Sequence, residues 1–172
     1  YFSLDKSPLE NVHSITSSND SWKDMSEKAV QLGEKRSTSN GYGIRNEYWK
    51  ELMHKKPMNR RQYEFKMNSP EFKDLSLLVD TMHQAGADVQ YVILPVNGKW
   101  YDHIGIDSDR RQAVYKKIHS TVVDNGGKIY DMSDKDYEKY VLSDVVHVGW
   151  KGWVYMDRQI EKHMNDYQAH SK

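Results

Sequence analysis

Apolar positions keep helical time in three stretches of this chain and crowd together in two others. From Ser69 the run "SPEFKDLSLLVDTMHQAG" sets Ser69 as an N-cap, Pro70 at the first helical position, and Phe72, Leu75, Leu78, Val79 and Met82 on one face, with Gly86 as the stop. "ADVQYVILPVNG" follows as a near-continuous β-branched and aromatic run ending in Pro and Gly, the pattern of a strand buried on both faces. "DSDRRQAVYKKIHSTVVDNGG" then starts with a capping Asp107 or Ser108, aligns Val114, Ile118 and Val122, and stops at Asn125, Gly126 and Gly127. "KIYDM" reads as a second strand, and "KGWVYMDRQIEKHM" spaces Trp153, Met156, Ile160 and Met164 as a terminal helix.

Residues 1–69 are polar and poorly periodic, with turn signals in "TSSNDS" and "STSNGYGIRN", and read as helical pieces joined by loops. The order helix, strand, helix, strand, loop, helix implies a right-handed parallel βαβ unit in a three-layer α/β domain with helices on both faces of the sheet. Two parallel strands cannot fill such a sheet, and residues 1–69 offer no convincing partner. The expectation is the C-terminal half of a larger domain, in which a polar segment 1–69 and an α/β portion 70–172 are parts of one unit.

Composition narrows the function. The 172 residues carry 25 Lys and Arg against 25 Asp and Glu, so no overall field draws the chain to nucleic acid or an anionic membrane. A mean hydropathy of −0.90 with 12% aromatics describes a folded chain with a wet periphery. No run approaches the roughly 20 apolar residues needed to cross a bilayer, and no signal-peptide pattern opens the chain. The lack of cysteine removes disulfides, thiolate metal sites and a thiol nucleophile, and fits a cytosolic protein or an exported Gram-positive one. A first residue other than Met fits a mature or truncated product.

Ligands of open parallel sheets bind outside the carboxyl ends of the strands, which singles out two loops. "PVNGKWYD" offers Asn97, Lys99, Trp100 and Tyr101, and the segment after "KIYDM" leads to Asp144 and His147. In a parallel pair both loops leave the same edge, so Asn97 is expected near His147. Asp-x-x-His suits a carboxylate that fixes the tautomer of a general base. It equally suits a structural hydrogen-bonded pair, and Asp80 and His83 repeat the spacing on a helix as surface decoration. No G-x-S-x-G elbow, Gly-Asp-Ser or cysteine supplies a nucleophile, and Ser143 is better suited to a cap or turn than to attack. No metal cluster, Walker loop or Gly-rich dinucleotide fingerprint is present, so neither a metal nor a cofactor is expected. Trp100, Trp150 and Trp153 line a pocket or fill core. The basic cluster Lys50, Lys55, Lys56, Arg60, Arg61 and Lys66, interleaved with Tyr63 and Phe65, reads first as a solvated helix face.

At "TSNGYGIRNEYW", "VILPVNGKWYD", "RRQAVYKKI" and "DVVHVGWKGWVYMD" the sequence resembles the C-terminal part of the D-alanyl transfer protein family, DltD, over most of residues 37–163. The resemblance implies an SGNH-hydrolase-like α/β fold held at the extracellular face of the plasma membrane by an N-terminal anchor absent from this chain. It also implies a Ser-His-Asp site whose Asp is Asp144 and whose His is His147, with the Ser outside this chain. The implied activity is transfer of D-alanyl ester groups onto lipoteichoic or wall teichoic acid, in a pathway with a carrier protein and a membrane acyltransferase. Under it Asn97 becomes a candidate oxyanion donor, and Trp100 and Lys151 become substrate-binding candidates. Asp102 or Asp107 would face the D-alanyl amine, and the basic cluster would face the polyanionic polymer. An esterase or thioesterase of the same fold and a non-catalytic binding module stand as alternatives, and the 172 residues alone are expected to be inactive.

Overall fold

A computed structural model describes residues 20–54 and 64–170. Lys55, Lys56, Arg60, Arg61 and Tyr63 of the basic cluster lie outside the described residues, while Lys50 and Lys66 are exposed.

Helix α1 (Trp22–Arg36) opens on a capping box in which Ser21 and Asp24 satisfy each other's backbone N–H groups. A second helix, α2 (Asn46–His54), follows a loop tied down by Asn40, whose side chain accepts from Tyr42 and Ile44 N–H and donates to the Ile44 carbonyl. Helix α3 (Pro70–Gln84) starts at Pro70 as the pattern predicts, although the Ser69 hydroxyl makes no cap hydrogen bond. Strand β1 (Gln90–Ile93) leads through helix α4 (Gly98–His103) and helix α5 (Ser108–Asp124) to strand β2 (Lys128–Asp131). Asp107 caps α5 by accepting from Arg110 N–H, and Gly126, at φ +81°, releases the chain into β2.

The strands pair in parallel with Gln90 opposite Lys128 and Ile93 opposite Asp131, so the architecture is mixed α/β around a parallel pair, with a helical crossover. Helix α5 packs on both strands and on α3, and the last helix, α6 (Trp150–His170), packs along α1. Buried Ile44, Val79, Ile93, Ile106, Val122, Met132, Val141 and Leu142 form the core. Because side chains alternate along a strand, Ile93 is buried while Val92 and Leu94 stand 38% and 39% exposed, so β1 is covered on one face and open on the other among the described residues. That corrects the expectation of a strand buried on both faces. On α3, Val79 is buried and Leu78 and Met82 are partly open. The α6 positions that revealed its period face outward too: Trp153, Ile160 and Met164 are about half exposed.

After β2 a short 3₁₀ turn (Ser133–Lys135) and a loop lead to an isolated antiparallel bridge between Leu142 and Val148. Glycines make the next step possible. A Cβ on Gly149 would lie 2.6 Å from the Tyr140 carbonyl oxygen, and one on Gly152 would lie 2.3 Å from that of Val141. These two glycines therefore seat the first turn of α6 on the 140–142 backbone. Gly152→Ala is expected to push α6 outward and destabilise the fold by about 1–3 kcal/mol, read as a lower urea midpoint at unchanged slope.

Candidate functional site

The Leu142–Val148 bridge closes a five-residue turn, Ser143 to His147, at its base. Ser143 N–H donates to the His147 carbonyl at 2.8 Å, and its hydroxyl reaches the same oxygen at 3.3 Å, so Ser143 serves the turn. Two neighbours grip the outer side: Arg45 N–H donates to the Ser143 carbonyl and Asn97 N–H to the Val145 carbonyl, each at 2.9 Å. Residues from two distant parts of the sequence thus fix one turn.

Inside the turn, Asp144 Oδ1 accepts from the backbone N–H of Val146 (2.8 Å) and of His147 (2.7 Å). Its Oδ2 stands 2.6 Å from His147 Nδ1. A carboxylate only accepts, so in the neutral ring Nδ1 carries the proton and Nε2 is left as a lone-pair acceptor. The Asp144 side chain is 14% exposed and that of His147 76%, so the carboxylate is embedded and the imidazole faces outward. This arrangement can hold one tautomer and take a proton at Nε2. Asp80 and His83 show the contrast: Asp80 accepts from the Gln84 side chain at 2.8 Å, and the His83 ring packs against Gly126.

Asn97 reaches the turn, but its amide is committed. Oδ1 caps α4 by accepting from Trp100 N–H at 3.1 Å, and Nδ2 donates to the Tyr42 carbonyl at 3.0 Å. The structure thus gives Asn97 a positioning role between α4, the Tyr42 loop and the Asp144 turn. Trp100 joins Tyr42, Trp49 and His103 in a half-buried aromatic cluster with ring centroids 5.1–6.0 Å apart, at packing distance from one another. Trp150, the first residue of α6, lies under the Arg45 guanidinium, and Trp153 is exposed. Lys151 turns to Glu138 Oε1 at 2.5 Å and contacts the Tyr155 ring. Burial alone would raise the Glu138 carboxyl, but Lys151 and the Tyr155 hydroxyl hold it below its ordinary value. Lys151 is therefore a clamp between α6 and the 133–138 segment.

Asp102 and Asp107 are also engaged. Asp107 caps α5 and pairs with Arg110, and Asp102 belongs to a network centred on Arg111, which the sequence did not single out. Arg111, 1% exposed, donates to Asp102 Oδ1 (2.7 Å), the Ile106 carbonyl (2.6 Å), Asp136 Oδ2 (3.0 and 3.2 Å) and the Tyr137 hydroxyl (2.9 Å). Tyr137 donates in turn to Asp102 Oδ2 at 2.8 Å. Burial opposes the Arg111 charge, yet its hydrogen bonds to Asp102, Tyr137 and Asp136 raise its pKa above the ordinary arginine value. With Gly98 N–H bound to the Asp136 carbonyl, this network anchors α4, and through Asn97 the Asp144 turn, to α5.

A concavity lined by Val79, His83, Tyr91, Gly127 and Lys128 opens at the amino ends of the strands. It lies at the opposite edge from the Asp144 turn, and the edge where parallel sheets bind ligands is the carboxyl one. No group of three or more His, Asp or Glu side chains suited to a metal occurs among the described residues, and none of their helices is long and apolar enough to cross a membrane.

A helical crossover between parallel strands, with an aspartate-oriented histidine on a loop that follows the second strand, defines an α/β protein with a candidate proton-transfer site. Residues 3–165 match the family model described as "DltD protein". "Protein DltD" of Staphylococcus aureus (strain NCTC 8325 / PS 47) is 68% identical over 163 residues, covering 95% of this chain and 42% of that protein. "Protein DltD" of Bacillus subtilis (strain 168) is 37% identical over 147 residues, 83% of this chain and 37% of the relative. That of Lacticaseibacillus rhamnosus is 26% identical over 151 residues, 85% and 36%. The chain belongs to the DltD family. It spans about two-fifths of the length of the curated relatives it matches.

Proposed function

We propose that this chain supplies the histidine and aspartate of an acyl-transfer site in a protein that moves D-alanyl ester groups onto lipoteichoic or wall teichoic acid. One observation carries the reading: Asp144, fixed by two backbone N–H groups, holds His147 Nδ1 at 2.6 Å and leaves an exposed ring with Nε2 open. Family membership supports the D-alanyl chemistry.

In the proposed sequence, His147 Nε2 takes the proton of a serine hydroxyl from a part of the polypeptide outside this chain, as the serine oxygen attacks the D-alanyl carbonyl carbon. The imidazolium, stabilised by Asp144, returns that proton to the departing group of the donor. A hydroxyl of the polymer then gives its proton to Nε2 and attacks the alanyl-serine ester, and the proton passes back to serine as the product ester leaves. The D-alanyl donor side involves a carrier protein and a membrane acyltransferase, and an N-terminal anchor would keep the site at the extracellular face of the membrane. We assign Asn97 to positioning and Trp100 to an aromatic flank of the site.

Hydrolysis uses the same serine ester with water as acceptor, so products separate the two readings. In a protein of full family length supplied with a D-alanyl ester donor, radiolabelled alanine is expected on added teichoic acid, with free alanine as the minor product. Equal release of free alanine with and without polymer would assign the site to an esterase instead.

A further inference from the structure

Beside the Asp144 turn, among the described residues, one buried N–H lacks an acceptor and one guanidinium has only a long ion pair. Arg45 N–H holds the Ser143 carbonyl at 2.9 Å, which pins the residue to the turn itself. Its guanidinium lies 5.5 Å above the ring of Trp150, three residues beyond His147. The side chain is 17% exposed, and its ion-pair partner among the described residues is Glu47, at 3.5 Å and itself 56% exposed. That is the weak limit of hydrogen-bond geometry for a group with five N–H donors. Trp150 Nε1 is buried and has no acceptor among the described residues. Asp144 cannot serve either donor, because Oδ1 accepts two backbone N–H groups and Oδ2 faces His147.

A buried indole N–H without an acceptor is costly, and beside a guanidinium with only one long ion pair it favours an anion that brings several oxygens at once. A guanidinium laid on an aromatic face presents a planar fork suited to carboxylate or phosphate. The acyl-transfer reading, on which this inference rests, decides between them. A D-alanyl ester has no free carboxylate and carries an ammonium that Arg45 would repel, whereas the acceptor polymer carries a phosphodiester on each repeat.

We propose that Arg45, with the indole N–H of Trp150, forms a phosphodiester subsite that sets the acceptor polymer beside His147. The half-buried Tyr42, Trp49 and Trp100 cluster, joined to the same turn through Asn97, flanks it and offers an apolar surface to the polyol.

The test is equilibrium binding of a synthetic poly(glycerol phosphate) chain to the full-length protein, with turnover of a small acyl ester measured in parallel. Arg45→Gln is expected to raise the Kd for the chain roughly tenfold or more, the scale of a lost charge-assisted hydrogen bond, and to flatten its salt dependence. Arg45→Lys should fall between, and Trp150→Phe, which keeps the ring and loses the N–H, should raise Kd by a smaller factor. An unchanged Kd in Arg45→Gln overturns the subsite. So does an Arg45→Gln protein that fails to fold while Arg45→Lys and Trp150→Phe bind the chain normally, since Arg45 would then serve a structural partner. His147→Ala reports separately: full ester turnover in that variant would sink the acyl-transfer reading, whatever the Kd series shows.

Discussion

His147→Ala, in a protein of full family length, is expected to lower turnover of a small acyl ester by about 10²–10⁴-fold, the usual contribution of a correctly placed general base. The expectation rests on the fixed Nδ1 contact at 2.6 Å and on the 76% exposure of the imidazole, which leaves Nε2 to meet a nucleophile. Asp144→Asn should lose a comparable factor by a different route. An asparagine oxygen can still accept the two backbone N–H groups that Oδ1 accepts now, so the turn survives. The amide nitrogen then faces Nδ1 as a donor, drives the ring proton to Nε2, and removes the lone pair the reaction needs. Unaltered folding with collapsed turnover, measured by circular dichroism and ester hydrolysis on the same sample, would be the signature of that tautomer change.

Arg111→Met is expected to cost about 3–5 kcal/mol of stability, the range for removing one partner of a buried ion pair. The Asp136 side chain is 4% exposed and loses both of its guanidinium contacts at once. Arg111→Lys should rescue little, because a single ammonium cannot reach Asp102, Asp136 and the Ile106 carbonyl together. Adding Asp136→Leu to Arg111→Met should return part of the loss, since the stranded charge is then gone. Urea denaturation of the four proteins gives the comparison. An Arg111→Met protein within 1 kcal/mol of the parent would show that Asp136 has another partner.

Local signals carried much of the fold. Pro70, Asp107 and Gly126 act within a turn of where they sit, so they mark helix ends in sequence as well as in space. The β-branched run through Ile93 and the short "KIYDM" likewise became the parallel pair. Tertiary choices were not legible. Arg110 and Arg111 are adjacent and chemically alike, yet one helical step sends Arg111 into the core and leaves Arg110 at the α5 cap. Gly149 and Gly152 permit close approach, but nothing in the sequence names the partner, the 140–142 backbone.

The Asp-x-x-His spacing was ambiguous for a physical reason. In α3 the backbone N–H groups are spent inside the helix, so Asp80 turns to the Gln84 side chain. In the Ser143–His147 turn the N–H groups of Val146 and His147 are free to orient Asp144, and only the turn makes the pair. Arg45 and Tyr42 escaped notice because a loop nearly a hundred residues upstream gives no sequence sign of its contact with that turn.

Serine-directed fluorophosphonate labelling of the full-length protein, compared with His147→Ala and Asp144→Ala, reads out whether this pair activates a serine. Rapid labelling of one serine is expected in the parent, and labelling slowed by orders of magnitude in both variants. Equal labelling of all three would contradict it, and Asp144 and His147 would then be a structural pair that closes a turn.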